Sequence, residues 1–95
     1  MTLDQAIAKL IAEQNALEAP CVTMKAARAA AERSRSNKNI TALNDAIEAF
    51  EAQIDKIDAA RAVCDQIEAA ANIQARKDRH AAQAAADAYA QPSLF

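Results

Sequence analysis

The sequence predicts an all-α protein. It contains no glycine, two prolines and only 3% aromatic residues, and it is rich in alanine and in the charged and amide residues that favour long helices. Its large apolar residues recur at alternating intervals of three and four, which is the heptad spacing of helices packed side by side. These observations predict an antiparallel helical hairpin with long helices over residues 1–90, followed by an extended C-terminal tail at residues 91–95.

The first predicted helix begins at a capping box, with Thr2 as the N-cap and Gln5 as the residue whose side chain reaches back to it. One seam then runs along the helix through Leu3, Ile7, Leu10, Gln14 as its one polar member, Leu17, Cys21 and Met24. Pro20 lies within this seam, where a proline removes a backbone hydrogen bond and kinks the helix. The alternatives are a single kinked helix over about residues 3–35 or two helices broken near Ala19, and the unbroken seam favours the kinked helix.

A polar cluster at residues 34–39 predicts the turn between the helices, with Thr41 or Asn39 capping the second one. The second seam has the same spacing and runs through Ile40, Leu43, Ile47, Phe50, Ile54 and Ile57. Beyond it the phase slips, because Arg61 falls on the expected apolar position, and the stripe continues through Ala60, Val63, Cys64, Ile67, Ala70 and Ala71. Such a stutter changes the winding of a helix pair without ending it.

The position of the turn sets the predicted pairing of the helices. A turn centred near residue 38 places Met24 opposite the region of Ile54, and Cys64 opposite residue 13. In that register Cys21 and Cys64 lie too far apart for a disulfide, whose Cα atoms stand within about 7 Å of each other.

The apolar stripe is wider than one partner helix can cover. It includes Ile7, Ile11, Leu17, Ile40, Phe50, Val63 and Ile73. A small domain gains the missing burial from a further helix or from oligomerisation. We expect helix to about Ala90, with residues 76–90 forming either a free extension or a short third helix, and we favour dimerisation into a bundle as a homodimer.

The composition excludes several classes of function. A chain without glycine cannot form the phosphate-binding, dinucleotide-binding or nucleophile-elbow loops that depend on it. The single histidine, His80, has charged neighbours on what should be an exposed helix face, and Cys21 and Cys64 lie on the apolar seam as small hydrophobic residues. We therefore expect no enzymatic activity, no cofactor and no metal site.

Charge and hydropathy predict a soluble cytoplasmic protein. The net charge of −2 gives no attraction of the whole molecule to nucleic acid. The first ten residues lack the pattern of a signal peptide, and no apolar window is long enough to cross a membrane. A membrane partner is therefore not expected.

Five basic residues gather near the predicted turn and are called the basic tip: Lys25, Arg28, Arg33, Arg35 and Lys38. One interpretation is a contact with the phosphates of a nucleic acid or with an acidic protein. The favoured interpretation is structural, because basic residues near the C-terminal end of a helix complement its dipole. No aromatic residue is interleaved among them to stack on bases.

The last five residues, Gln91-Pro92-Ser93-Leu94-Phe95, resemble the short clamp-binding motif of bacterial replication and repair proteins, written Q-L-[SD]-L-F. Four of the five positions agree, and the departure is Pro92 at the second. The resemblance covers these residues only and implies binding to the bacterial DNA polymerase sliding clamp. It also implies that Gln91 is a polar latch, that Leu94 and Phe95 are anchors in a hydrophobic pocket, and that Ser93 is a spacer.

The chemistry of the tail agrees with that implication. Pro92 cannot continue a helix and biases Gln91 towards an extended conformation. The expected function is a non-enzymatic interaction protein that recruits a partner to the clamp or competes for its binding site. One alternative is a coiled-coil scaffolding or inhibitory protein that acts through its helix faces, with Leu94 and Phe95 folded back as a hydrophobic cap. A further alternative is a nucleic-acid contact through the basic tip.

Overall fold

The computed structural model describes residues 1–90, and the predicted tail at residues 91–95 lies outside them. The described residues form three helices: α1 over Leu3–Asn15, α2 over Glu18–Arg33 and α3 over Asn37–Ala90. No strand occurs within these residues, so the all-α prediction is confirmed. The chain divides into two units, Met1–Cys64 and Asp65–Phe95, and each is described by itself.

The start of α1 is the predicted capping box. The Thr2 backbone N–H donates to Gln5 Oε1 over 2.9 Å, and the Gln5 backbone N–H donates to Thr2 Oγ1 over 3.2 Å. Two backbone donors that the first helical turn leaves without partners are thereby satisfied. The sequence predicted both the cap residue and its partner.

The bend associated with Pro20 lies at Ala16 and Leu17, slightly earlier than the predicted break near Ala19. Both residues keep right-handed helical dihedral angles, and the Leu17 N–H donates to the Gln14 carbonyl over 3.2 Å, as in a tightened last turn. Because α2 begins at Glu18, Pro20 lies in its first turn, where an N–H has no intrahelical acceptor. A proline ring also clashes with the carbonyl four residues earlier, here that of Ala16, and this explains the position of the bend.

The connection between α2 and α3 is shorter than predicted. It comprises residues 34–36, and Ser36 acts as the N-cap of α3, since its Oγ accepts from the Asn39 N–H over 3.2 Å. The predicted caps, Thr41 and Asn39, are therefore wrong. The Asn39 side chain instead donates to the carbonyls of Ala30 and Ser34, at 3.3 and 2.8 Å, and so closes the C-terminal end of α2.

The buried face of α1 and α2 is a heptad whose phase differs from the prediction. Buried and half-buried residues recur in steps of three and four at Leu3, Ala6, Leu10, Glu13, Leu17, Pro20, Met24, Ala27 and Ala31. Ile7, a predicted seam residue, is 39% exposed, whereas Ala6 beside it is 1% exposed. Alternating large and small side chains interdigitate across a helix pair, and alanine permits the closer approach of the backbones. The isoleucine consequently lies at the edge of the seam.

The buried face of α3 also differs in phase from the prediction. One heptad series of its buried and half-buried positions runs through Leu43, Ala46, Phe50, Gln53, Ile57, Ala60 and Cys64, and the half-buried Ile47 and Ile54 lie beside this series. The steps of three and four continue without a slip, so the predicted stutter after Ile57 is wrong. Ala60 continues the series of Ala46 and Gln53, and Arg61 follows the seam by one position, as Ile47 and Ile54 do.

The contact between α1 and α3 also corrects the predicted register. The Gln53 side-chain amide donates to the Glu13 carbonyl over 2.9 Å and to Glu13 Oε2 over 2.7 Å. The predicted register placed Cys64 opposite residue 13, about three helical turns further along α3. Part of the difference follows from the connection, which is short and centred at residue 35.

Residues 65–90 continue α3 as helix, so residues 76–90 are not a separate short helix. From residue 68 to residue 89 every side chain is exposed, including Ala70 and Ala71 of the predicted stripe. Two side-chain pairs one turn apart support this stretch, with Gln74 donating to Asp78 and Gln83 to Asp87, each over 3.0 Å. Such pairs stabilise a helix by only about 0.2–0.5 kcal/mol each.

We expect backbone amides at residues 72–88 to exchange with solvent much faster than those at residues 46–60. The reason is that local opening needs little free energy where few apolar contacts are buried. Hydrogen–deuterium exchange followed by mass spectrometry of peptic fragments measures the difference. Equal protection of the two stretches would contradict this account.

Candidate functional site

The predicted clamp-binding residues Gln91, Pro92, Ser93, Leu94 and Phe95 lie outside the described residues. The helix that leads towards them is described up to Ala90, and its last turns are solvent-exposed from residue 83 to residue 89. Tyr89 is the most exposed large hydrophobic residue of the described part of the chain. Within residues 65–89 no neighbouring side chain covers the surface of these last turns.

The basic tip is exposed at all five positions. Arg28 and Arg35 are brought to one shallow groove of about 320 Å³, which Glu32 also lines. The other three residues, Lys25, Arg33 and Lys38, do not line that groove. Arg33 lies in the last turn of α2, where a positive charge complements the helix dipole. Glu32 offsets part of the positive charge of the groove, which weakens its attraction for phosphate.

The hydrogen-bonded pair of Gln53 and Glu13 is the feature that the sequence interpretation missed. Gln53 is buried, and its amide makes the two hydrogen bonds that join α3 to α1. A polar residue in an apolar heptad seam fixes the register of the helices, because any shift leaves a buried amide without partners. Gln53 lies seven residues from both Ala46 and Ala60, and this heptad spacing is the sequence signal that places it in the seam.

A larger groove lies on one side of the helix pair within Met1–Cys64. Its volume is about 430 Å³, and its lining residues are Met1, Ala6, Lys9, Glu13, Lys56, Ala59, Ala60 and Val63. Three of these lining residues are alanines, Lys9 and Lys56 contribute positive charge from the two helices, and Glu13 contributes a negative charge. These lining residues include no nucleophile with an adjacent general base.

The titratable residues singled out from the sequence differ in burial. Cys21 is half-buried, Cys64 is buried, and both are free thiols. His80 is exposed and lines a shallow surface depression with Arg76, Arg79 and Gln83. Residues 1–90 contain no group of three or more histidine, cysteine, aspartate or glutamate side chains placed to hold a metal ion. In the same residues, no helix has the length and hydropathy needed to cross a membrane.

The chain matches no protein-family model, no curated protein and no solved structure. Its own residues therefore carry the functional proposal.

Proposed function

We propose that the chain is a non-enzymatic helical protein that binds the bacterial DNA polymerase sliding clamp through residues 91–95. The observation that carries the proposal is the agreement of Gln91, Ser93, Leu94 and Phe95 with the clamp-binding motif. The exposed helix that precedes these residues supports it, because a recognition peptide needs an accessible point of attachment.

The body of the protein, in this proposal, is an antiparallel helical hairpin over Met1–Cys64. Two contacts support that arrangement. Gln53 lies against Glu13, and Asn39 lies against Ala30, so the residue number rises on one helix as it falls on the other. The short connection at residues 34–36 is also typical of antiparallel neighbours.

Each tail residue has a distinct role in the proposed complex. Pro92 ends helical hydrogen bonding and biases Gln91 towards an extended conformation, which leaves the glutamine amide free for the clamp. Leu94 and Phe95 enter the hydrophobic pocket. Their burial contributes roughly 3–6 kcal/mol before the ordering cost of the peptide, which corresponds to micromolar affinity for one tail.

The proposed biological role is recruitment to the clamp or competition for its binding site. The clamp serves several proteins that use the same short motif, so a protein that presents the motif without catalytic machinery acts as an adaptor or a competitor. This role places the protein in the bacterial cytoplasm.

The test is displacement of a fluorescent peptide carrying a Q-L-S-L-F motif from a purified bacterial sliding clamp. We expect the intact chain to displace the peptide at micromolar concentrations, and a chain ending at Ala90 to leave it bound. Failure of the intact chain to displace it, or equal displacement by the shortened chain, would show the proposal to be wrong.

A second candidate function is a coiled-coil scaffolding or inhibitory protein that acts through its helix faces. The exposure of several large aliphatic residues on the helices favours it, Ile7, Ile11 and Ile40 among them. The two candidates differ in the same assay, because a protein acting only through its helix faces leaves the peptide on the clamp.

A further inference from the structure

One side of the helix pair in Met1–Cys64 carries a row of isoleucines, here called the isoleucine flank: Ile7, Ile11, Ile40, Ile47 and Ile54. Each follows a seam position by one residue, and Ile11 lies one helical turn beyond Ile7. A heptad position next to the seam stays on one side of it along the whole helix. The isoleucines of each helix therefore lie along one edge of the seam.

The two edges lie on the same side of the pair. Lys9 is two residues from Ile7, and Lys56 two residues from Ile54, which at about 100° per residue is roughly 200° around each helix. Lys9 and Lys56 line one groove, so the isoleucines of both helices lie on the other side. The groove shared by Arg28 and Ile40 belongs to that side, because Arg28 has the same heptad position as Ile7.

The isoleucine flank is incompletely covered within the unit. Ile7 is 39% exposed, Ile11 50% and Ile40 42%, while Ile47 and Ile54 are half-buried. The opposite side presents the lysines and alanines of the larger groove. A row of incompletely covered isoleucines on one side of a helix pair is typical of an interaction surface.

The size of the flank matches an interface between two proteins. The seam over residues 3–31 is about 40 Å long at 1.5 Å per residue, and two adjacent helices are about 20 Å wide. The whole side of the pair that carries the flank, polar residues included, thus offers roughly 800 Å², the area that each partner of a standard interface buries.

The small core of this unit favours a second copy of the chain as the partner that covers the isoleucine flank. Among the described residues, the buried hydrophobic ones are Ala6, Ala31, Ala46, Ala60, Cys64 and Ile57, and only Ile57 is large. So thin a core needs further burial, which oligomerisation supplies in small scaffolds. A two-fold interface must complement itself, and the isoleucines can meet their own copy without opposing like charges. Arg28 and Glu32, which line the groove on the same side, carry opposite charges.

We infer that two copies of this chain pack isoleucine flank against isoleucine flank, forming a four-helix bundle. The inference rests on the proposed hairpin and not on clamp binding, so a chain ending at Ala90 forms the same dimer. The partner is a second copy of the chain, and the contact surface is the row of Ile7, Ile11, Ile40, Ile47 and Ile54.

Sedimentation equilibrium tests the surface directly. We expect the intact chain to sediment at twice its mass, and the double substitution Ile11→Lys with Ile40→Lys to weaken association by roughly 100-fold or more. The matched control is Val22→Lys with Ile73→Lys, two exposed apolar residues outside the flank, which we expect to leave association within about threefold. Equal weakening by both pairs, or a monomeric intact chain, would overturn the inference.

A second measurement covers the outcome in which the isoleucine variant does not fold. The thermal melting midpoint of the intact chain is followed by circular dichroism over a hundredfold range of protein concentration. A dimer melts at a higher temperature as concentration rises, because association stabilises the folded state by mass action. A midpoint that is independent of concentration would overturn the inference without any substitution.

Discussion

Replacing Leu94 or Phe95 with alanine is expected to weaken binding to the sliding clamp by roughly 10- to 100-fold for each substitution. Each change removes a large apolar side chain whose burial contributes about 1.5–3 kcal/mol, and every 1.4 kcal/mol is about tenfold in Kd. The double substitution is expected to reduce binding to the level of a chain ending at Ala90. Isothermal titration calorimetry with a purified clamp measures the dissociation constants of the intact chain, of the two single variants and of the double variant.

Two control substitutions separate the pocket from general changes in the protein. Ser93→Ala, at the spacer position, is expected to change the Kd by no more than about threefold, because the spacer supplies neither of the two apolar anchors. Ile73→Ala removes a large side chain from the exposed part of α3, outside the motif, and should leave the Kd unchanged. A Leu94→Ala variant that binds as tightly as the Ile73→Ala variant would contradict the roles given to the anchors.

Ala6→Leu is expected to destabilise the fold more than any other single alanine-to-leucine change in α1. Ala6 is 1% exposed and lies in the seam facing α3. Three additional carbons at a closely packed position cost about 1–3 kcal/mol. For a domain of this size the melting temperature falls by roughly 5–15 °C, which thermal denaturation followed by circular dichroism measures.

The matched control for this prediction is Ala8→Leu in the same helix. Ala8 is exposed, and leucine has nearly the helix propensity of alanine, so the melting temperature should change little. If the Ala6→Leu and Ala8→Leu variants had the same melting temperature, the inference that Ala6 is closely packed in the seam would be wrong.

The local features of the fold could be predicted because short segments determine them. The capping box at Thr2 and Gln5 depends on two side chains three residues apart, and it is present as predicted. The alternating intervals of three and four residues between apolar positions also predicted packed helices, because this spacing keeps side chains on one face whatever their size. The bend near Pro20 could be predicted because a proline ring clashes with the carbonyl four residues earlier.

The phase of the seam could not be predicted because hydrophobicity alone does not rank Ala6 against Ile7. Large aliphatic residues indicate a buried face, but close helix packing favours the small residue at the centre and the large one at the edge. Hydrophobicity also does not identify Gln53 as a seam residue, because this polar side chain is buried only where Glu13 supplies its hydrogen-bond acceptors. In the predicted phase Arg61 interrupts the seam and implies a stutter, whereas in the observed phase Arg61 lies beside the seam and no stutter occurs.

The register depended on the length of the connection, which the sequence left ambiguous. Residues 34–39 are all polar, and several of them can cap a helix. Ser36 caps α3, while the Asn39 side chain bonds the last carbonyls of α2, so the connection ends three residues earlier than its polarity indicated. Contacts between residues distant in sequence, such as Gln53 with Glu13, decide such cases.

The most direct test of the proposed function is a calorimetric titration of a bacterial sliding clamp with the intact chain and with a chain ending at Ala90. We expect saturable binding of the intact chain with a Kd on the order of micromolar, and no measurable binding of the shortened chain. Equal affinities for the two chains, or no heat of binding with either, would contradict it.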